Sequence, residues 1–150
     1  MRIIAGSAKG RNIASVASAT RPTSDRAREA LFSTLASEFG DFAGLSVLDL
    51  YAGTGAIALE SLSRGAALVH AVEKDEQAQK SIAANYDGIK SAQCAGIFQL
   101  YGMSVHRFLQ DPPAAKYHFV YIDPPYGIKF GSNWQVRASK REVRDNVDDA

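Results

Sequence analysis

From Leu45 onward the chain alternates between two rhythms, and this alternation narrows the fold more than any other feature. LSVLDL, ALVHAVE, GIFQLYG and YHFVYI are short apolar runs rich in β-formers. Between them lie GAIALESLSR, EQAQKSIAANYD and SVHRFLQ, which carry helical spacing or helix caps. Strand, helix, strand, helix, strand, helix, strand predicts an α/β, Rossmann-like, doubly wound parallel sheet, because parallel neighbours need crossover connections and helices supply them. Gly65 is placed to end the first of these helices, and Asp75 to cap the second. Such sheets bind ligands at the carboxyl ends of their strands. The functional residues are therefore sought there.

The stretch before Leu45 reads differently. RIIAGSAKGRNI, residues 2–13, predicts two short strands around Gly6 and Gly10, a hairpin. ASVASAT is a small-residue linker. Thr23, Ser24 and Asp25 are candidate caps for a helix in which Leu31, Leu35 and Phe39 recur at i, i+4 and i+8 beside Phe32, with Gly40 as its stop. The expected division is a basic hairpin-and-helix extension over 1–40, a core over 41–126 and an atypical charged tail over 127–150.

Charge supports that division. The net charge of +1 conceals six basic groups against one acid in residues 1–28, a local +5. Residues 29–128 carry six basic groups and eleven acids, a local −5. A basic arm on an acidic body points to a phosphate-rich partner met at one end. One cysteine, Cys94, excludes an intramolecular disulfide and fits a reducing cytosol. No window approaches the ~20 apolar residues of a membrane helix. His70, His106 and His118 are scattered, away from any cysteine or acid cluster at ligand spacing, so no metal is expected.

Two motifs carry chemistry. The first strand ends Asp49-Leu50-Tyr51-Ala52-Gly53-Thr54-Gly55-Ala56. Gly53 and Gly55 permit a sharp turn and close approach of a ligand, and the next helix directs free N–H groups at it. Glu73, at the end of the second strand, can accept hydrogen bonds from ribose hydroxyls. The same pattern fits a nicotinamide-binding loop or a bare strand–helix turn. The second motif is Asp123-Pro124-Pro125-Tyr126, which closes the fourth strand. The Asp123 carboxylate and the Pro124 carbonyl are two acceptors for an exocyclic amine, the prolines fix φ and remove a competing N–H, and Tyr126 offers a ring for a splayed-out base. Asp111-Pro112-Pro113-Ala114 lacks the ring, follows a helix, and reads as a stop and turn.

The glycine loop resembles the E/D-x-G-x-G loop of S-adenosylmethionine-dependent methyltransferases. That resemblance implies that Asp49 anchors the loop or the methionine ammonium, that Tyr51, Gly53, Thr54 and Gly55 line the cofactor, that Glu73 holds the ribose, and that Lys74 lies beside the adenine. Over residues 1–126 the stretches RIIAGSAKGR, RPTSDRAREALF, VLDLYAGTGAIALESLSRGA, VEKD and FVYIDPPY resemble the bacterial family that methylates the N2 amine of a guanine in small-subunit (16S) ribosomal RNA. The resemblance implies S-adenosyl-L-methionine as cofactor, ribosomal RNA or an assembling small-subunit particle as partner rather than DNA, RNA contacts from Arg11, Arg21 and Arg26, a cytoplasmic location, and a monomer for the intact family. Ser104 departs from the family's acidic or amide-bearing pattern at the adenine. Residues 121–147 resemble the segment after DPPY in adenine-specific DNA methyltransferases of restriction–modification systems, and they favour the alternative of adenine-N6 methylation. There, however, the segment precedes the glycine loop. A non-catalytic nucleotide-binding fragment is the third reading. The tail is expected to form at most one short helix, and the fourth strand, left without the family's further strands, to be an apolar edge prone to association.

Overall fold

The computed structural model describes residues 1–15 and 24–125, together with the backbone of 136–137 and 144–145. Four parallel strands form the central sheet: β1 (Ser46–Leu50), β2 (Leu68–Val72), β3 (Ile97–Tyr101) and β4 (Phe119–Ile122), in the order β3-β2-β1-β4. Leu50 pairs with Val72 on one side and with Ile122 on the other. The carboxyl ends of the three strands β2, β1 and β4 therefore lie level. β1 and β2 occupy the middle of the sheet and are buried along almost their whole length. This is why their sequences are apolar without alternation. β3 is an outer strand, and its Ile97 is the large hydrophobic residue left exposed among the described residues.

Helices α2 (Ala56–Ser63), α3 (Glu76–Lys90) and α4 (Val105–Gln110) connect the strands. α3 begins as expected, with the Asp75 carboxylate accepting the Ala78 N–H at 2.8 Å, but continues three residues past Asp87 to bury Ile89. Gly88 weakens that last turn, and the apolar contact of Ile89 outweighs it. Ser104 caps α4 by accepting the Arg107 N–H at 3.1 Å. Asp111-Pro112-Pro113 ends that helix and turns the chain, with no further role visible in its contacts.

Helix α1 (Asp25–Phe39) starts at Ser24, whose hydroxyl accepts the Ala27 N–H at 3.1 Å, and stops at Gly40 with φ 69°. The predicted N-terminal hairpin is reduced to one bridge, Arg2 with Asn12, because residues 5–10 turn away to dock on α2. Ser63 holds that turn from the helix end: its hydroxyl accepts the Ala8 N–H at 2.9 Å and donates to the Ala5 carbonyl at 2.7 Å. A Cβ on Gly6 would stand 1.9 Å from the Ser63 carbonyl oxygen, so only glycine fits there. Buried Glu60 accepts the Ile4 N–H at 2.8 Å. α2 is thus covered on every side, which is why a polar-bearing helix has no exposed face.

The histidines have structural partners. His70 Nδ1 lies 2.7 Å from the Tyr117 hydroxyl inside a cluster with Tyr101, and burial holds its pKa below the ordinary value. His118 Nδ1 accepts the Ser46 N–H at 3.0 Å. Of the tail, the described residues are the two-residue strands β5 (Val136–Arg137) and β6 (Arg144–Asp145), paired antiparallel, which the sequence reading did not expect; the short helix considered for the tail lies outside the described residues. Backbone pairing needs no apolar face, so a charge-rich sequence gives no sign of it.

Candidate active site

Three carboxylates meet at the level ends of β2, β1 and β4, in three different environments. Asp49 is the penultimate residue of β1 and is 1% exposed. Among the described residues, neither of its carboxylate oxygens has a hydrogen-bond partner. Burial pushes its pKa up to about 8; the nearby Ala58 amide eases that rise without a hydrogen bond of good geometry, and the negative charges of Glu73 and Asp123 add to it. A buried carboxyl without donors is costly unless a cation meets it. Its companion in strand order, Glu73, is half-buried and well supplied. One Glu73 oxygen accepts the Gly53 N–H at 2.9 Å and the other accepts the Asp75 N–H at 2.9 Å. Asp123, one residue past β4, is exposed, with Pro124 and Pro125 half-buried behind it.

The loop between Asp49 and α2 is built for approach. Tyr51 adopts φ 60°, uncommon for a side chain this large, and Gly53 and Gly55 follow at 59° and 80°. The Ala52 N–H bonds to the Val72 carbonyl at 2.9 Å, and the Gly55 N–H to the Ala52 carbonyl at 2.8 Å. Among the described residues, a Cβ on Gly53 would meet nothing within 4 Å, whereas one on Gly55 would touch Ile82 at 3.3 Å. Gly53 therefore faces open space where a ligand can lie, and Gly55 is glycine for packing against α3 and for its positive φ.

The chain's own residues thus fit a cationic nucleoside. An orphaned buried carboxyl lies beneath the loop, Gly53 leaves room above it, and each Glu73 oxygen retains one acceptor site after its backbone bond. Glu73 is the residue that bonds to the loop backbone, at Gly53, whereas Asp49 makes no such bond among the described residues. Lys74 is exposed beside this cluster, and Thr54 is half-buried with its carbonyl turned inward. Arg11 and Arg26 are exposed on the hairpin and on α1. Tyr126 and Arg21 lie outside the described residues.

Sequence reasoning overlooked Asn85, which is buried and donates to the Thr54 carbonyl at 3.1 Å. A signal existed: Asn85 falls between Ile82 and Ile89 on the core-facing stripe of α3, where an amide needs partners. Gln79 was also missed. Its Nε2 donates to the Glu73 carbonyl at 3.0 Å, and its side chain fills the space beside Gly102.

Strand order, glycine loop and the acid after β2 together define a domain of the S-adenosylmethionine-dependent methyltransferase type. More narrowly, the chain belongs to the Conserved hypothetical protein 95 family, whose model matches residues 1–141. That match continues past Tyr126, where the resemblance read from the sequence stops, and takes in much of the tail. YlbH of Bacillus subtilis (strain 168), provisionally named an rRNA methyltransferase, is 34% identical over 129 residues, covering 84% of this chain and 67% of that protein. Ribosomal RNA small subunit methyltransferase D of Escherichia coli (strain K12) is 35% identical over 127 residues, covering 84% and 60%. A solved Escherichia coli structure, provisionally named a methyltransferase, superposes with a TM-score of 0.69 at 31% identity, covering 85% of this chain and 64% of that one. The chain therefore spans between 60% and 67% of the length of these relatives.

Proposed function

We propose that the protein transfers a methyl group from S-adenosyl-L-methionine to the exocyclic N2 amine of a guanine in small-subunit ribosomal RNA. One observation carries the reading. Asp123-Pro124-Pro125 follows β4 directly beside the strand whose end holds the buried, unpartnered Asp49 and the Gly53–Gly55 loop. The residues proposed as base acceptor and as cofactor site therefore stand at the ends of neighbouring strands, which supports the reading. The relatives' names, which include ribosomal RNA methyltransferases, support the polynucleotide class.

When bound, S-adenosylmethionine supplies an electrophilic methyl group on a sulfonium. Asp49 would take its ammonium group, with the charge pair formed out of water. Glu73 would accept from the ribose hydroxyls while keeping its hold on Gly53, and Lys74 would flank the adenine. Asp123 and the Pro124 carbonyl would accept hydrogen bonds from the two amine hydrogens, which draws the lone pair onto nitrogen and aims it, and the proton the nitrogen loses on methylation would leave through the exposed Asp123 carboxylate to water. Tyr126 stacks the guanine. This is positioning and preorganised electrostatics, with no covalent enzyme intermediate. Arg11, Arg21 and Arg26 neutralise RNA phosphates. The exposed faces of the hairpin and α1 suit that contact.

Tritiated-methyl transfer tests this reading. The chain is given S-adenosylmethionine with ribosomal RNA, small-subunit particles or DNA, and the labelled product is digested to nucleosides. N2-methylguanosine from the RNA or the particle is expected, with most turnover lost in Asp123→Asn and cofactor binding retained. N6-methyladenine from DNA would overturn the substrate assignment. Undiminished transfer by Asp123→Asn would overturn the role of that residue.

A further inference from the structure

Asn85 joins two segments that the activity uses separately. Its Oδ1 accepts the Ala14 N–H at 2.9 Å, and its Nδ2 donates to the Ala14 carbonyl at 3.1 Å and to the Thr54 carbonyl at 3.1 Å. A carboxamide nitrogen has two hydrogens, so both are committed, each to a different segment. The orientation is forced, because two carbonyls need a donor and one N–H needs an acceptor. Ala14 follows Ile13, which closes the hairpin through the Met1 carbonyl at 2.8 Å, and leads toward Arg21 in the basic arm. Thr54 lies between the two loop glycines. The group is planar and 5% exposed, so no water is available to replace a lost partner without opening the packing. A tilt of the amide that follows Thr54 also moves the plane that grips Ala14.

We propose that Asn85 is a positioning residue that couples the basic arm to the glycine loop: a cofactor settled against Thr54 fixes the start of the arm, and RNA on the arm tightens the cofactor's hold. The proposal rests on the function proposed above, and coupling of this kind is reciprocal by linkage. An asparagine that merely filled the gap beside α3 would stabilise the fold and leave the two sites independent.

Hydrogen exchange at the Ile13 and Ala14 amides tests the coupling without any turnover, with S-adenosylhomocysteine as the probe. In the parent, the probe should slow exchange there by about tenfold, within the usual range of coupling between sites. Asn85→Asp keeps the acceptor for Ala14 but loses both donations. It should still bind the probe by calorimetry, yet show no added protection. Probe affinity measured with and without a ribosomal RNA fragment should differ by about tenfold in the parent and by little in the variant. If Asn85→Asp fails to fold, Asn85→Ala removes all three bonds, and the same retained probe binding with loss of added protection at Ile13 and Ala14 is expected. Equal protection in parent and variant, or a parent that binds the probe without protecting Ile13 and Ala14, would overturn the coupling alone. A parent that binds no S-adenosylhomocysteine would overturn the functional reading and the coupling with it.

Discussion

Asp49→Asn is the substitution whose effect the geometry specifies most sharply. The carboxyl is sealed from water and has no donor, and its pKa stands at about 8 against 3.8 in an open chain. Because the folded value is the higher one, the native state holds a proton that the unfolded state has released. Stability from this group is therefore full below the unfolded value and is lost as pH rises toward and through about 8. Each unit of separation is worth about 1.4 kcal/mol, so going from about pH 5 to pH 8 should cost the parent about 3–4 kcal/mol through this residue. Asparagine has the same shape and no titration, and should remove that slope while the other carboxylates keep theirs. Cofactor binding should move the opposite way. The ligand's ammonium needs the ionised form, so affinity for S-adenosylhomocysteine should rise by about tenfold per unit from about pH 6 to pH 8 in the parent. In Asp49→Asn it should be weak and flat. Urea denaturation and calorimetry at several pH values measure both. Parallel stability profiles for the two proteins would refute the account of Asp49 as a buried, unpartnered acid. A steep affinity rise that persisted in Asp49→Asn would refute its role toward the cation.

Three further outcomes follow from the same contacts. Glu73→Ala should weaken S-adenosylhomocysteine binding by about 1–3 kcal/mol, the usual loss of a hydrogen bond to a charged group, and should also speed exchange of the Gly53 amide it now holds. Gly6→Ala, whose Cβ would collide with the Ser63 carbonyl and whose φ is 88°, should cost more than ~2 kcal/mol in denaturant, because backbone cannot yield as a flexible side chain can. Charge reversal at Arg11 and Arg21 should weaken ribosomal RNA binding and flatten its salt dependence by fluorescence anisotropy, with cofactor affinity unchanged.

The order of elements was legible because parallel strands buried on both faces must be apolar and must be joined by helices. The caps Ser24, Asp75 and Ser104 were equally readable from side chain and spacing: Ser24 and Asp75 were read as caps, while Ser104 was noted only as a departure from family pattern. What the sequence hid was long-range. Nothing local shows that Glu60 and Ser63 meet residues 4–8, more than fifty positions earlier, and so the hairpin looked like a pair of strands when it is a docked turn. Asn85 was hidden for the same reason. Its partners are Ala14 and Thr54, and only the folded chain brings them to one amide.

The three acids were each legible as candidate site residues, but the environments that distinguish them were not, because the fold sets environment and identity does not. Asp49 and Glu73 are close enough for the charge of one to raise the pKa of the other, yet one is walled in by the sheet and the other reaches two backbone amides. Asp49 is pushed toward its protonated form, by burial first and by the neighbouring charges of Glu73 and Asp123 after it. Glu73, fixed by Gly53 and Asp75, stays a rigid acceptor. Asp49 is left as a buried, protonated acid without a hydrogen-bond partner among the described residues. Asp123 stands outside both, exposed at the end of β4. On the proposed function the receptor for the cofactor's cation is dry and the acceptor for the base is wet, so the two would meet their ligands in different surroundings. The arm held by Asn85 begins beside the loop that follows Asp49.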